Sequence, residues 1–107
     1  YIFRHNEDIQ NLLDVPMTFY ETDMKILDNY VGEGYGVMTS QVAEAIHLSA
    51  QTDALICDPN YTGTVMAALI DQVRKKNFNK NETVIFLHTG GLPALFTFSE
   101  ELASFSF

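Results

Sequence analysis

Apolar residues recur at the spacing of an α-helix in three stretches of the chain. The first covers residues 4–13 and ends at residues 14–16, because the residue before a proline avoids the helical region. The second begins at Thr39 or Ser40, either of which can cap a helix, and the third runs from Tyr61 or Thr62 to about residue 76. The positions on these faces are Ile9, Leu12 and Leu13, then Val42, Ala45, Ile46, Ser49 and Ala50, then Val65, Met66, Leu69, Ile70 and Val73. The spacing predicts three amphipathic helices.

Short continuous apolar runs lie between and after these stretches, and they are typical of strands. Residues 83–87 are apolar and rich in β-branched side chains, which suits a strand covered on both faces in a parallel sheet. Residues 54–57 form a second run, and residues 24–27 form a third one that is compatible with a strand. Another short helix is expected after Pro93. This order of elements predicts an α/β fold, part of an open and mostly parallel sheet with flanking helices.

The composition fits a single globular unit. The chain has 107 residues, of which 47% are hydrophobic and 19% are charged, so it can build one core but not two. Six Lys and Arg stand against fourteen Asp and Glu, giving a net charge of −8. Nucleic acids and anionic membranes both require a basic face, so neither is expected as a partner. The longest strongly apolar stretch, residues 65–70, is far shorter than the ~18 residues of a membrane span.

The start of the sequence and its cysteine content indicate the context. The sequence starts with YIF instead of Met and has no signal-peptide pattern, so we expect it to begin inside a longer cytoplasmic protein. Cys57 is the single cysteine, which excludes an internal disulfide and fits a reducing compartment. It is expected to act as a small buried hydrophobic residue. No spacing of His, Cys, Asp or Glu suggests a metal site.

Two loops follow the predicted strands, at the edge where α/β sheets bind ligands. They are DPNYTG at residues 58–63 and HTGG at residues 88–91. The glycines let the backbone approach a ligand, although Gly90 and Gly91 fit a simple tight turn equally well. Asp58, which precedes a proline, is expected to form a turn rather than to catalyse. His88 is expected to be structural rather than a base, because no neighbour in sequence pairs with it.

Two tyrosines occupy positions that local packing does not explain. Tyr35 lies between Gly34 and Gly36, and Tyr61 lies at the turn from a strand to a helix. Both positions are compatible with the core and with a pocket wall. A phenol has a pKa of ~10, so acid–base use at neutral pH requires an environment that tunes it.

Three motifs, taken in order, resemble one enzyme family. They are YVGEGYG at residues 30–36, DPNYTG at residues 58–63 and HTGGLPALF at residues 88–96. These segments resemble the carboxyl-terminal third of the D-cysteine desulfhydrase and 1-aminocyclopropane-1-carboxylate (ACC) deaminase family. That family belongs to the fold-type-II pyridoxal-phosphate enzymes, whose fold is similar to the tryptophan synthase β chain. The resemblance extends from about Met24 and implies that residues 1–107 hold part of that fold.

The resemblance also implies roles for particular residues. Tyr35 and Tyr61 match the two tyrosines that face the substrate in this family and are the candidate catalytic residues. Thr89 matches the group beside the pyridine nitrogen of pyridoxal 5'-phosphate. Thr62 matches the neighbouring position that reaches the same end of the ring, and Gly90 belongs to the same cofactor-binding motif.

The hydroxyls at Thr62 and Thr89 favour one of two activities in the family. The deaminases resemble Tyr-Glu-Gly and His-Leu-Gly-Gly at these motifs, where this chain has YTG and HTGG. A carboxylate beside the pyridine nitrogen keeps it protonated and strengthens the electron sink, whereas a hydroxyl leaves a weaker sink. Loss of a thiol needs less carbanion stabilisation than opening a cyclopropane. The resemblance therefore implies a lyase that converts D-cysteine into pyruvate, ammonia and hydrogen sulfide, with ACC deaminase as the alternative.

No lysine of the chain matches the one that carries the cofactor in this family. The four lysines are Lys25, Lys75, Lys76 and Lys80, whereas the family's cofactor lysine and phosphate cradle lie upstream. Residues 1–107 are therefore expected to be the carboxyl-terminal part of a homodimeric enzyme that acts on a small amino acid, and to be inactive alone. If the chain is complete, the alternative is a non-catalytic α/β interaction module.

Overall fold

The computed structural model describes residues 2–14, 18 and 20–106, and its helices follow the hydrophobic pattern. The α-helices in this part of the chain are α1 (Ile2–Leu13), α2 (Ser40–Asp53), α3 (Thr62–Arg74) and α4 (Ser99–Ser104). Shorter 3₁₀ segments span Glu21–Asp23, Asp28–Tyr30 and Leu92–Phe98. The three helices and the short helix after Pro93 are confirmed, but the apolar face predicted for α1 is exposed, with Leu12 at 81% and Leu13 at 63%. The stop signal expected at residues 15 and 16 lies outside the described residues.

The two central helices begin differently. The hydroxyl of Thr39 accepts a hydrogen bond of 3.2 Å from the backbone N–H of Val42, which caps α2 as predicted. Ala54 ends α2 with a left-handed backbone at φ 54°. The N-cap of α3 is Tyr61, whose side chain makes no capping hydrogen bond. The free N–H groups at the start of α3 must therefore be satisfied by another residue.

The core lies between α2 and α3. Its buried hydrophobic residues are Met38, Val42, Ala43, Ala45, Ile46, Cys57, Met66 and Ala67. Across the exposed rim of this pair, the Arg74 guanidinium donates two hydrogen bonds to the Glu44 carboxylate, at 2.6 and 3.2 Å. Lys75 pairs with Asp71 at 2.7 Å, one turn away on the same stretch. The charges of Arg74 and Lys75 at the end of α3 are thus paired, and both side chains are exposed.

The predicted sheet is not confirmed, because no described residue lies in a β-strand. A strand is defined by a ladder of hydrogen bonds to a neighbouring strand, and residues 24–27, 54–57 and 83–87 form no ladder in the described part of the chain. The expectation that residues 83–87 are buried on both faces is wrong, since Ile85 is 85% exposed and Leu87 is 74% exposed. An apolar run is a local signal for burial, but the covering elements have to come from elsewhere.

The structure also bears on the predictions about Cys57, membrane spans and metal ligands. Cys57 is fully buried, as predicted, and the hydroxyl of Ser49 lies 3.8 Å from its sulfur. No helix within the described ranges is long and apolar enough to cross a bilayer. The described residues also contain no group of three or more His, Cys, Asp or Glu side chains that could hold a metal ion.

Candidate functional site

Two phenols meet in front of the amino end of α3. The hydroxyl oxygens of Tyr35 and Tyr61 are 3.5 Å apart, and the ring centroids are 5.9 Å apart at a tilt of 58°. Both side chains are largely exposed, Tyr35 at 77% and Tyr61 at 54%. The structure thus brings the two predicted catalytic tyrosines together and places them outside the core.

The glycine-rich loop that carries Tyr35 is tied to the turn that carries Tyr61. The backbone N–H of Gly36 donates a 3.1 Å hydrogen bond to the side-chain oxygen of Asn60. Beside this bond lies a cavity of about 190 Å³, lined by both segments and by Tyr35. Gly36 has φ 82° and open space around its α-carbon, so a glycine suits the bend that presents the neighbouring phenol.

The turn before α3 is organised by one buried carboxylate, that of Asp58. One carboxylate oxygen accepts the backbone N–H groups of Asn60 and Tyr61, both at 2.9 Å. The other accepts the backbone N–H of Thr62 at 2.8 Å and its hydroxyl at 2.7 Å. The carboxylate thus satisfies the N–H groups of Tyr61 and Thr62 at the start of α3, and the Asp58 carbonyl oxygen accepts the N–H of Gly63 at 2.7 Å. The expectation that Asp58 forms a turn is confirmed, and its burial was not foreseen.

Thr62 and Thr89 differ in the hydrogen bonds that their hydroxyls make. Thr62 is 1% exposed, and its hydroxyl donates to the Asp58 carboxylate and accepts from the Asp58 N–H at 2.9 Å. Thr89 is exposed, and its hydroxyl has no hydrogen-bond partner in the described part of the chain. Thr89 therefore has the hydroxyl that is available to an external acceptor. The hydroxyl of Thr62 faces inward.

His88 joins the second loop to the segment before Asp58. Its Nε2 lies 2.9 Å from the carbonyl oxygen of Ile56, and its Nδ1 accepts the N–H of Gly90 at 3.3 Å. Since Nδ1 is the acceptor, the ring proton belongs on Nε2, which donates to Ile56. The structural reading of His88 is supported, and its partner is 32 positions away in sequence. No local pattern identifies such a partner.

The environment of Tyr61 keeps its phenol protonated. The hydrogen bond with Tyr35 is the largest of the causes that raise the pKa of Tyr61 above 10.0. The charge of an ionised Tyr35, partial desolvation and the nearby Asp58 carboxylate act in the same direction. At neutral pH the phenol of Tyr61 is therefore a hydrogen-bond donor and not a base.

A larger cavity, of about 570 Å³, lies elsewhere, between α2, α3 and the segment around Tyr30. There the Tyr30 hydroxyl donates to the Asp71 carboxylate and accepts from the Gln72 amide at 2.7 Å. None of the predicted site residues lines this cavity. We place the candidate site at the paired tyrosines, because the chemically available groups are there.

The comparisons with known proteins identify the family of the chain. The profile of the family described as "Pyridoxal-phosphate dependent enzyme" matches residues 2–90. The D-cysteine desulfhydrases of Salmonella newport (strain SL254), Salmonella heidelberg (strain SL476) and Salmonella dublin are each 43% identical to this chain over 76 residues. The match covers 71% of this chain and 23% of each relative. The chain thus spans about a quarter of the length of the curated relatives it matches.

These matches confirm the resemblance carried by the three motifs. The family profile covers most of the chain, including both tyrosines and the loop that begins at His88. Pyridoxal phosphate is the cofactor that the family's description names. The chain belongs to the family of pyridoxal-phosphate-dependent enzymes.

Proposed function

We propose that the protein containing this chain is a pyridoxal-phosphate-dependent lyase that breaks the carbon–sulfur bond of D-cysteine. In this reaction the α-proton and the thiol leave, one water is consumed, and the products are pyruvate, ammonia and hydrogen sulfide. The proposal is supported by the 43% identity to proteins named D-cysteine desulfhydrase. The structural observation that carries it is the exposed hydroxyl of Thr89, which none of the described residues engages, in the loop that packs on the Tyr61 turn.

The residues of this second loop fit the pyridine end of the cofactor. Gly90 has φ 98° and nothing within 4 Å of a built β-carbon, so a flat ring can approach the backbone there. The Thr89 hydroxyl would donate to an unprotonated ring nitrogen. When bound, pyridoxal phosphate supplies the electron sink for the carbanion left at the substrate α-carbon. The weaker sink that accompanies a hydroxyl suits the loss of thiol, which is a good leaving group.

Thr62 has a different part in this proposal. Its hydroxyl is occupied by Asp58 on both the donor and the acceptor side. We therefore propose that Thr62 supports the cofactor end of the site from behind, by fixing the turn, rather than by direct contact with the ring.

The tyrosine pair would bind the substrate and handle one proton. A phenol is protonated at neutral pH, so Tyr61 can donate to the departing sulfur. The hydroxyl oxygens of Tyr35 and Tyr61 lie 3.5 Å apart, so Tyr35 can hold the phenol in place or accept a hydrogen bond from it. The small cavity beside Tyr35 gives the substrate carboxylate or side chain a place to enter.

We further propose that residues 1–107 form the carboxyl-terminal part of the enzyme domain, with the cofactor lysine in the preceding part. Lys75 is engaged by Asp71, and Lys25, Lys76 and Lys80 are exposed. A lysine that forms a Schiff base needs a lowered pKa, whereas the hydrogen bond with the Asp71 carboxylate raises the pKa of Lys75. This chain is therefore expected to be inactive alone. The homodimer and the cytoplasmic location expected of the whole protein stay predictions.

The test uses the whole protein reconstituted with pyridoxal phosphate. Hydrogen sulfide and pyruvate are measured with D-cysteine, with L-cysteine and with ACC as separate substrates. We expect release of sulfide from D-cysteine and no turnover of ACC. Ammonia and 2-oxobutyrate from ACC, without sulfide from D-cysteine, would instead identify the deaminase.

A matched pair of variants tests the role of Thr89. Thr89→Val removes the free hydroxyl and keeps the shape, so we expect kcat with D-cysteine to fall about 3- to 10-fold, the value of one hydrogen bond. Thr52→Val on the exposed face of α2 is the control. Equal kcat in the two variants would remove Thr89 from the cofactor site.

A further inference from the structure

The buried carboxylate of Asp58 lies where the two loops of the candidate site meet. Asp58 is neither a candidate catalytic residue nor a candidate cofactor-binding residue. Asp58 is 0% exposed. Among the described residues no Lys, Arg or His forms an ion pair with it. A buried charge without a counter-ion is costly unless hydrogen bonds compensate for it. The groups that contact the carboxylate therefore show which parts of the structure it holds in place.

The first connection is to the Tyr61 turn. All four hydrogen bonds to the carboxylate come from residues 60–62, three of them from backbone N–H groups. Burial raises the pKa of Asp58, but the hydrogen bonds from Thr62, then Tyr61 and Asn60, outweigh it and hold the pKa below 3.8. The group is ionised at neutral pH, and its two oxygens fix the backbone from which the Tyr61 phenol projects.

The second connection is to the Thr89 loop, by contact. A β-carbon built on Gly91 would lie 2.6 Å from the Asp58 Cγ and 2.7 Å from one of its oxygens. Side-chain carbons do not approach so closely, so the backbone of Gly91 rests directly on the carboxylate group. Gly91 also has φ 91°, which favours glycine. Gly90, its neighbour, has no such contact.

We propose that Asp58 is a positioning residue whose buried carboxylate sets the Tyr61 turn and the Thr89 loop at a fixed separation. Its oxygens hold the first loop by hydrogen bonds, and its outer face supports the second loop at Gly91. The His88–Ile56 hydrogen bond also joins the segment before Asp58 to the second loop. A displaced carboxylate would move the proton donor and the cofactor hydroxyl together. The catalytic consequence rests on the proposed function, whereas the coupling of the two loops does not.

The coupling is tested in the whole protein without cofactor, by hydrogen exchange of backbone amides. In Asp58→Asn the amide nitrogen faces N–H or O–H donors, so at least two hydrogen bonds are lost. We expect about tenfold faster exchange or more at residues 60–62, in line with the value of those bonds, together with faster exchange at residues 88–91. Asp53→Asn, at the exposed end of α2, is the matched control and should leave both segments unchanged.

Faster exchange at residues 60–62 alone would overturn the proposal and reduce Asp58 to a helix cap. If Asp58→Asn does not fold, the pair Thr62→Val and Thr62→Ser replaces it. Thr62→Val removes the hydroxyl that both donates to and accepts from Asp58, and Thr62→Ser retains a hydroxyl. We expect faster exchange in both segments for the valine variant and a smaller change for the serine variant. Unchanged exchange at residues 88–91 in Thr62→Val would also overturn the proposal.

A second measurement on the holoenzyme separates positioning from stability. Asp58→Asn should lower kcat with D-cysteine more than it raises KM, and should shift the absorbance of bound pyridoxal phosphate at a temperature where the protein is fully folded. An unchanged spectrum and kcat in the folded variant would contradict the positioning role. If the wild-type protein releases no sulfide from D-cysteine, the proposed function fails while the exchange result stands independently.

Discussion

The hydroxyl oxygens of Tyr35 and Tyr61 lie 3.5 Å apart, although 26 positions separate the two residues in sequence. If Tyr61 is the proton donor to the departing sulfur, Tyr61→Phe should lower kcat with D-cysteine in the whole protein by about 10²- to 10⁴-fold, as for loss of a general acid. Steady-state kinetics check this. Tyr20→Phe, at an exposed tyrosine with no part in the site, is the control. A loss below about threefold would limit Tyr61 to substrate contact.

The same pair predicts a change in titration. The hydrogen bond with Tyr35 is the largest cause of the raised pKa of Tyr61, so Tyr35→Phe should return that pKa toward 10.0. Tyrosinate absorbance of the wild type, Tyr35→Phe and Tyr61→Phe, titrated from neutral to strongly alkaline pH, assigns the late transition. If Tyr35→Phe leaves the transition of Tyr61 in place, the two phenols are not hydrogen-bonded in solution.

Gly91 and Gly90 form a natural matched pair. Both have a positive φ, but only an added β-carbon at Gly91 meets the Asp58 carboxylate, at 2.6 Å. We expect Gly91→Ala to cost about 1–3 kcal/mol beyond Gly90→Ala, the usual cost of overpacking a filled site. Urea unfolding of the apo form of the whole protein measures the difference. Equal midpoints for the two variants would mean that the loop does not rest on Asp58.

The lowered pKa of Asp58 also predicts that the stability of the fold depends on pH at acidic values. Its pKa is held below 3.8 in the folded chain. Its contribution to stability is therefore complete above the unfolded pKa of about 3.9, and is lost as the pH falls through the lower folded pKa. Urea midpoints of the wild type and Asp58→Asn should differ by a constant amount above about pH 5 and converge below about pH 4. A gap that persists undiminished at about pH 2 would show that the carboxylate charge is not the stabilising group.

The apolar side chains of residues 83–87 predict self-association when the 107-residue chain is produced alone. Ile85 and Leu87 are mostly exposed, and a contiguous apolar patch of this kind favours association. Light scattering should therefore show oligomers, and Ile85→Lys should reduce them. Thr83→Lys adds the same charge to the same segment without removing an apolar side chain. If both lysine variants reduce the oligomers equally, net charge and not the apolar surface governs association.

The helices could be predicted from sequence because their signals are local. Thr39 caps α2 three residues before its N–H partner, and the apolar spacing of α2 and α3 marks the faces that pack together. The strands could not be assigned in the same way. Whether residues 83–87 form a strand depends on a hydrogen-bonded neighbour, and periodicity contains no information about that neighbour.

The site was predictable in part for a similar reason. The motifs place Tyr35, Tyr61 and Thr89 in the family's pattern, but they do not show that the hydroxyl of Thr62 faces inward. That orientation is fixed by the carboxylate of Asp58, which lies against Gly91, 33 positions later in the chain. The pair Asp58–Pro59 is a local signal for a turn, which the structure has there. The contact with Gly91 has no sequence signal in a single chain.

Cys57, which is fully buried one residue before Asp58, has a consequence for the chemistry we propose. An enzyme that releases sulfide works in the presence of its own product, and sulfide forms a persulfide with a cysteine only when that cysteine has already been oxidised to a sulfenic acid or a disulfide. The sulfur of Cys57 is enclosed by the core between α2 and α3, and Ser49 is its polar neighbour. Cys57 is also the single thiol of this chain. Burial of Cys57 therefore protects this wall of the site against the thiol oxidation that must precede any reaction with sulfide.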